Sequence, residues 1–120
     1  HGGDGLDEIS LRGSTQVWEM QNGTVSERSI SAGDVGLSSS PASAIQAGGV
    51  EASAQILRDV LSGKPGPARD IVLINAAAAL LAADRVSSLK DGVGVAAEAI
   101  DSGKAQASME SFVKLSQSLE

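Results

Sequence analysis

The first ten residues, HGGDGLDEIS, place three carboxylates on a short stretch of chain that also holds three glycines. Asp4, Asp7 and Glu8 repel one another unless a cation, a set of backbone donors or water surrounds them. Adjacent carboxylates suit Mg²⁺, which takes one or two protein carboxylates and completes its octahedron with water and phosphate oxygens. Because Asp7 and Glu8 point to opposite faces of an extended chain, a shared site requires a bend there or a bridging water. The glycines before them make such a bend easy.

The same segment is also typical of an exposed turn. Asp and Gly favour turns, and an Asp side chain accepts a hydrogen bond from the backbone two residues on. Short acidic motifs are common and carry little specificity by themselves. On the residues alone, a magnesium site and a solvent-exposed turn both remain open for DGLDE.

The composition excludes several classes of protein. The 120 residues predict one domain or a piece of one, and the chain starts at His1 in a stretch unlike a signal peptide. A net charge of −6, with one Trp and one Phe, argues against nucleic-acid binding, which needs clustered positive charge and stacking aromatics. The absence of cysteine excludes disulfides and thiolate metal sites. The longest apolar run, IVLINAAAALLAA, is shorter than the roughly 20 residues that span a bilayer.

An antiparallel hairpin is predicted over residues 9–31. STQVWEM alternates as a strand does, and Asn22-Gly23 is the strongest short hairpin signal because both positions tolerate positive φ. The alternation places Trp18 on the same face as Gln16 and Met20, and we expect Trp18 to be a core contact rather than a stacking platform.

Four helices are predicted after a Ser-rich loop. The first starts at Val50 and stops at Gly63, the second starts in PGPARD, the third near Ser88, and the fourth at Lys104. The middle of the second helix is apolar all round, which predicts burial on every side. A lone hairpin is also too small a sheet to stand by itself, so these elements are expected to pack against more chain than is given.

Individual polar and aromatic residues in these elements have simple structural interpretations. Asn75, inside the apolar helix, is expected to bond a neighbouring backbone group. Asp70 complements the dipole at a helix start, which we favour over an anion clamp formed with Arg69. Phe112 is expected in the core, and His1 at a disordered end.

Three segments together carry a resemblance: HGGDGLDEIS, GPARDIVLINAAAAL and DGVGVAAEAIDSGKA. In this order they closely resemble the C-terminal part of the anthranilate phosphoribosyltransferase family, and the likeness covers essentially the whole chain. The resemblance implies an α/β parent of the nucleoside phosphorylase/phosphoribosyltransferase type, of which this chain is one β-hairpin followed by about four helices. Within the C-terminal part of that catalytic domain, residues 1–8 would be a metal-binding loop, 9–31 the hairpin and 48–120 the helical part. The N-terminal helical domain and the glycine-rich substrate loop of the family are missing.

The resemblance also implies a function. Members transfer the phosphoribosyl group from phosphoribosyl pyrophosphate to anthranilate in tryptophan biosynthesis, as cytoplasmic, Mg²⁺-dependent and usually homodimeric enzymes. Asp7 and Glu8 match the family's pair that binds one magnesium ion beside the pyrophosphate, whereas Asp4 matches only a turn residue. No catalytic or substrate-contacting residue is assigned, since both substrates would bind through the missing upstream half. We therefore expect the 120 residues alone to be inactive.

Two alternatives remain beside the transferase hypothesis. One is a non-catalytic helical interaction module with DGLDE as a surface turn, and the other is a fragment of a related pyrimidine nucleoside phosphorylase. A departure from the family pattern also stands in GGVEASAQIL, where Val50 and Ser53 replace the residues usual in the family. Val50 removes a carboxylate from a helix N-terminus, which is worth up to about 1 kcal/mol of dipole interaction.

Overall fold

A two-stranded antiparallel sheet follows the acidic segment in the computed structural model, which describes residues 1–119. Strands β1 (Ser14–Gln21) and β2 (Thr24–Ser31) are joined by Asn22 and Gly23, whose φ values are 52° and 77°. This left-handed geometry is what a two-residue hairpin turn requires. The predicted hairpin is confirmed from residue 14 onward, while residues 9–13 form the approach to it.

The face of the hairpin that packs inward is the one carrying Thr15 and Val17. Thr15 is 1% exposed and pairs with the buried Ile30 on β2, whereas Trp18 and Met20 are 60% and 76% exposed. The alternation is therefore as predicted, but the expectation that Trp18 is a core contact is wrong. Trp18 lies on the opposite face from Thr15, and only the Thr15 face meets the helices.

Four α-helices make up the rest of the regular structure: α1 (Val50–Leu61), α2 (Pro67–Ala82), α3 (Leu89–Asp101) and α4 (Lys104–Gln117). Local signals explain three of the boundaries. Gly63, with a φ of 85°, follows α1; Pro67 opens α2; and the Ser88 hydroxyl accepts the Asp91 N–H at 3.1 Å to cap α3. Two short 3₁₀ helices, Ala32–Val35 and Ala42–Ile45, interrupt the segment predicted as loop. None of the described helices is long and apolar enough to cross a membrane.

Helix α2 lies between two apolar clusters. Ile74 and Ala77 are fully buried in the first, which faces the hairpin, and Leu73 is buried in the second, which faces α1 and α3. The prediction that α2 is buried on every side is wrong for one face, where Val72 is 42% exposed and Ala79 is also exposed. The hairpin, α1 and α3 cover the other faces, and nothing within residues 1–119 covers this one.

Helix α4 contacts the remaining structure mainly near its start, where Ala105 packs against the second cluster. Phe112, half a helix further on, is 66% exposed, so its predicted place in the core is wrong. A groove of about 800 Å³ lies between α1 and α4 and is lined by Leu57 and Met109 among others.

A bidentate ion pair joins the ends of three helices. The Arg69 guanidinium donates to both carboxylate oxygens of Asp101, at 2.7 and 3.0 Å, and to the Gly63 carbonyl at 2.9 Å. These bonds link the end of α1, the start of α2 and the end of α3, and they give Arg69 a structural partner in Asp101. Asp70 lies in the first turn of α2, as predicted, and burial raises its pKa.

Acid is expected to remove the contribution of this ion pair to stability. The hydrogen bonds from Arg69 lower the pKa of Asp101, so the stabilisation is complete above the unfolded pKa of about 3.9 and is lost as the pH falls through the folded pKa. Thermal unfolding followed by circular dichroism should show a lower Tm for Asp101→Asn at pH 7, with the difference from wild type shrinking below about pH 4. A difference independent of pH would contradict this, and Asp84→Asn, an exposed site, is the control.

Candidate metal site

The acidic segment is tied to the first strand by backbone hydrogen bonds. Gly2 forms an antiparallel bridge with Thr15, the Gly3 N–H donates to the Ser14 carbonyl at 2.8 Å, and the His1 carbonyl accepts the Gln16 N–H at 3.0 Å. The prediction of a disordered His1 is therefore wrong. Residues 1–3 form a short extension along β1, and the acidic loop starts from this fixed point.

Asp4 stabilises the acidic loop through hydrogen bonds to its carboxylate. Its Oδ2 accepts the Ser10 hydroxyl at 2.7 Å and its Oδ1 accepts the Leu6 N–H at 3.3 Å. The Ser10 hydrogen bond is the main cause of a lowered pKa for Asp4. Asp4 is thus a turn residue, as the sequence predicts, and its two carboxylate oxygens are already engaged by protein donors.

Close approach of neighbouring atoms, and not only flexibility, explains two of the three glycines. A Cβ on Gly2 would lie 2.7 Å from Oδ1 of Asp4, and a Cβ on Gly3 would lie 2.9 Å from the Ser14 carbonyl oxygen. Gly5 instead has open space around it and a φ of 91°, a conformation that favours glycine. The prediction from sequence attributed all three to an easy bend and missed the close contacts. The contact of Gly3 depends on the pairing with β1, and that of Gly2 on the folding of the loop around Asp4.

Asp7 and Glu8 differ from Asp4 in the hydrogen bonding of their carboxylates. The chain bends at both positions, as a shared site requires, and both residues are exposed. Within residues 1–119, neither carboxylate takes part in a hydrogen bond or an ion pair. The same part of the chain contains no group of three or more His, Cys, Asp or Glu residues placed to hold a metal. The pair is therefore at most part of a coordination sphere, with oxygens free for a cation.

Asn75 on α2 holds the chain directly after the acidic pair. Its Oδ1 accepts the Ile9 N–H at 2.8 Å, and its Nδ2 donates to the Ile9 carbonyl at 3.0 Å and to the Ile71 carbonyl at 2.9 Å. The prediction that Asn75 bonds neighbouring backbone is confirmed. The sequence could not identify Ile9 as its partner, because the two residues are 66 positions apart.

Two cavities within residues 1–119 lie away from the acidic pair. The large groove is lined by residues of α1 and α4, and a cavity of about 10 Å³ beside Asp4 and Ser10 is too small for a ligand. Neither cavity is lined by Asp7 or Glu8. Val50 and Ser53, the departures from the family pattern, are exposed in the first turn of α1. Asp7 and Glu8 lie on an open surface, where phosphate oxygens or water could reach a cation bound to them.

Comparison with known proteins gives a consistent result. Residues 1–106 match the family described as glycosyl transferase family, a/b domain. The anthranilate phosphoribosyltransferase of Symbiobacterium thermophilum is 54% identical over 110 residues, which are 92% of this chain and 32% of that protein. The resemblance inferred from the three sequence segments is thereby confirmed.

Solved structures agree with the sequence comparison. Anthranilate phosphoribosyltransferase from Saccharomyces cerevisiae is 32% identical, and this chain covers 33% of it with 94% of its own length. The TM-score is 0.85 for the complex with 4-fluoroanthranilate and 0.84 for the complex with PRPP and Mg. The chain spans about a third of the length of these relatives. By the match over residues 1–106 and these likenesses, the chain belongs to the glycosyl transferase family with the a/b domain.

Proposed function

We propose that this chain is the metal-binding part of an anthranilate phosphoribosyltransferase, in which Asp7 and Glu8 bind Mg²⁺ beside the pyrophosphate of phosphoribosyl pyrophosphate. The observation that supports it most is the division among the three acids. Asp4 is engaged by Ser10 and Leu6, whereas Asp7 and Glu8 are exposed at a bend with no partner in residues 1–119. A relative of known structure has been solved in complex with PRPP and Mg.

The donor set fits magnesium in number and kind. Mg²⁺ prefers hard oxygen ligands and often takes only one or two carboxylates when phosphate oxygens and water complete the shell. Within residues 1–119 no third acidic or histidine side chain is placed to share a metal with the pair, which is consistent with that arrangement. Charge gives a second reason: a chain of net charge −6 needs a cation to hold an anionic phosphorylated substrate.

The contribution of the chain to the reaction is positioning and charge. Breaking the bond at the ribose C1 leaves negative charge on the departing pyrophosphate, and bound magnesium would stabilise that charge. Asp7 and Glu8 hold the cation at the bend. Two sets of contacts fix the loop that carries Asp7 and Glu8. One is the hydrogen bond between Ser10 and Asp4, and the other is the pairing of Gly2 and Gly3 with β1.

The wider setting follows from the same proposal. The whole enzyme would act on anthranilate in tryptophan biosynthesis, in the cytoplasm, as a homodimer. The complex of a relative with 4-fluoroanthranilate supports the choice of acceptor. Since the chain spans about a third of its relatives, we expect no phosphoribosylanthranilate formation by the 120 residues alone.

A helical docking module is the second candidate, favoured by one observation. Leu57, Met109 and Val113 are among the residues that line the groove between α1 and α4, and outside it Phe112 and Leu115 on α4 are 66% and 61% exposed. In that case the acidic pair would be a surface turn without affinity for a cation. A metal titration separates the two candidates.

The test uses Mn²⁺, whose paramagnetism reports binding, together with pyrophosphate. Mn²⁺ and pyrophosphate together should bind the 120-residue chain weakly, and the substitutions Asp7→Asn and Glu8→Gln should each weaken this binding further. The matched control is Asp84→Asn, which also removes one exposed carboxylate. Equal affinity of the wild-type chain and both site variants would contradict the proposal and favour a surface turn.

A further inference from the structure

We propose that Asn75 is a positioning residue for the metal-binding pair, because it fixes the backbone of Ile9 and thereby the direction in which the chain leaves Glu8. This inference rests on the proposed function of Asp7 and Glu8. It assigns to the centre of α2 a role that goes beyond filling the core.

The side-chain amide of Asn75 meets both backbone groups of Ile9. Oδ1 accepts the Ile9 N–H at 2.8 Å, and Nδ2 donates to the Ile9 carbonyl at 3.0 Å. Only this orientation of the amide satisfies both bonds, since a reversed amide would place donor against donor and acceptor against acceptor. The second N–H of Nδ2 donates to the Ile71 carbonyl at 2.9 Å, so every strong hydrogen-bonding position of the amide except one lone pair is used.

The anchor itself is rigid. Ile74 and Ala77, on either side of Asn75 along α2, are 0% exposed and belong to the cluster that faces the hairpin. Ile9 packs against the same cluster through its side chain. The bond from Asn75 to Ile71, one turn earlier, further limits the rotamers of the amide.

The bend that carries the pair is thus held at both ends. On the amino-terminal side, Leu6 accepts the Gly2 N–H at 2.9 Å and donates to Asp4. On the carboxyl-terminal side, Ile9 is held by Asn75 and the Ser10 N–H donates to Oγ1 of Thr15 at 3.0 Å. Residues 7 and 8 span the gap between these anchors. Loss of the Asn75 bonds would leave the backbone that follows Glu8 without a hydrogen bond to α2, held there only by the packing of the Ile9 side chain.

The experiment compares Asn75→Leu and Asn75→Ala with Val60→Ala in the 120-residue chain. Val60 is 3% exposed in the second cluster, makes no side-chain hydrogen bond and serves as the matched core destabilisation. Two quantities are measured: hydrogen exchange of the Ile9 amide without metal, and the Kd for Mn²⁺ in the presence of pyrophosphate. Outer contacts that orient metal ligands typically change affinity by about 10–100-fold, and we expect a Kd increase of that order for both Asn75 variants.

The expected results distinguish positioning from general stability. Both Asn75 variants should speed Ile9 exchange and raise the Kd more than Val60→Ala does. If the variants do not fold, the wild-type chain still gives an answer, because an Ile9 amide that exchanges as fast as those of Asp7 and Glu8 would overturn the inference. An Mn²⁺ affinity changed no more by the folded Asn75 variants than by Val60→Ala would also overturn it.

The proposed function fails by a different result. If Asp7→Asn and Glu8→Gln leave Mn²⁺ binding unchanged, the pair does not hold the cation, whatever Asn75 does. If those two variants weaken binding and the Asn75 variants behave like Val60→Ala, only the positioning role of Asn75 is excluded.

Discussion

Under the proposed function, joint replacement of Asp7 by Asn and Glu8 by Gln should lower turnover of the proposed transferase by about 100-fold or more. Both changes keep the size of the side chains and remove only the charges that would hold Mg²⁺. The proposed reaction builds negative charge on the departing pyrophosphate, so the loss should appear in kcat and not only in KM. The measurement is steady-state formation of phosphoribosylanthranilate over a range of magnesium concentrations.

A matched pair of substitutions controls for net charge. Asp84→Asn with Glu98→Gln also removes one Asp and one Glu, both exposed and neither part of the acidic loop. Asp84 has a φ of 54°, which Asn tolerates well. The control should retain turnover and magnesium dependence. Equal effects of the two double variants would mean that overall charge, and not a metal site, determines the rate.

Substitution of two glycines in α3 by alanine should change stability in opposite directions. A Cβ on Gly92 would lie 2.8 Å from Cβ, 2.9 Å from Cα and 3.0 Å from the carbonyl oxygen of Ala77 on α2. Overpacking of this kind costs about 1–3 kcal/mol, against a gain in helix propensity of about 1 kcal/mol, so a net loss is expected for Gly92→Ala. The backbone atoms of Ala77 cannot move away from the added methyl group of residue 92 without separating α2 from α3.

Gly94, two residues further along α3, is the matched control. A Cβ there meets nothing within 4 Å, so Gly94→Ala should raise the free energy of unfolding by about 0.5–1 kcal/mol. Urea unfolding of the two variants and the wild type measures both changes. Stabilisation by Gly92→Ala equal to that by Gly94→Ala would contradict the close packing of α2 on α3.

Features set by neighbouring residues could be predicted from the sequence. The Asn22-Gly23 turn, the stop after α1 at Gly63 and the cap at Ser88 each depend on a few adjacent residues, and each lies where the pattern indicates. The exposure of the Trp18 and Phe112 side chains could not be predicted in the same way. Whether an apolar side chain is covered depends on where α2 and α3 pack, and both residues lie on surfaces that those helices leave open.

In the acidic site, too, contacts between sequence neighbours could be predicted, whereas contacts between residues far apart in the sequence could not. The turn role of Asp4 follows from its own neighbours, since its partners are Leu6 and Ser10. The choice of Asp7 and Glu8 came from a resemblance, because the acids alone are more typical of an exposed turn. The contact of Asn75 with Ile9 joins residues far apart in the chain, and only the fold brings them together.

The most direct test of the metal site is the position of Mn²⁺ on the chain. Added with pyrophosphate to the ¹⁵N-labelled 120 residues, Mn²⁺ should broaden the amide signals of Leu6 to Ile9 most strongly, and the Asp7→Asn, Glu8→Gln variant should lose this broadening. Broadening centred on another acidic residue, such as Asp34 or Asp59, or identical broadening in the variant, would contradict the account.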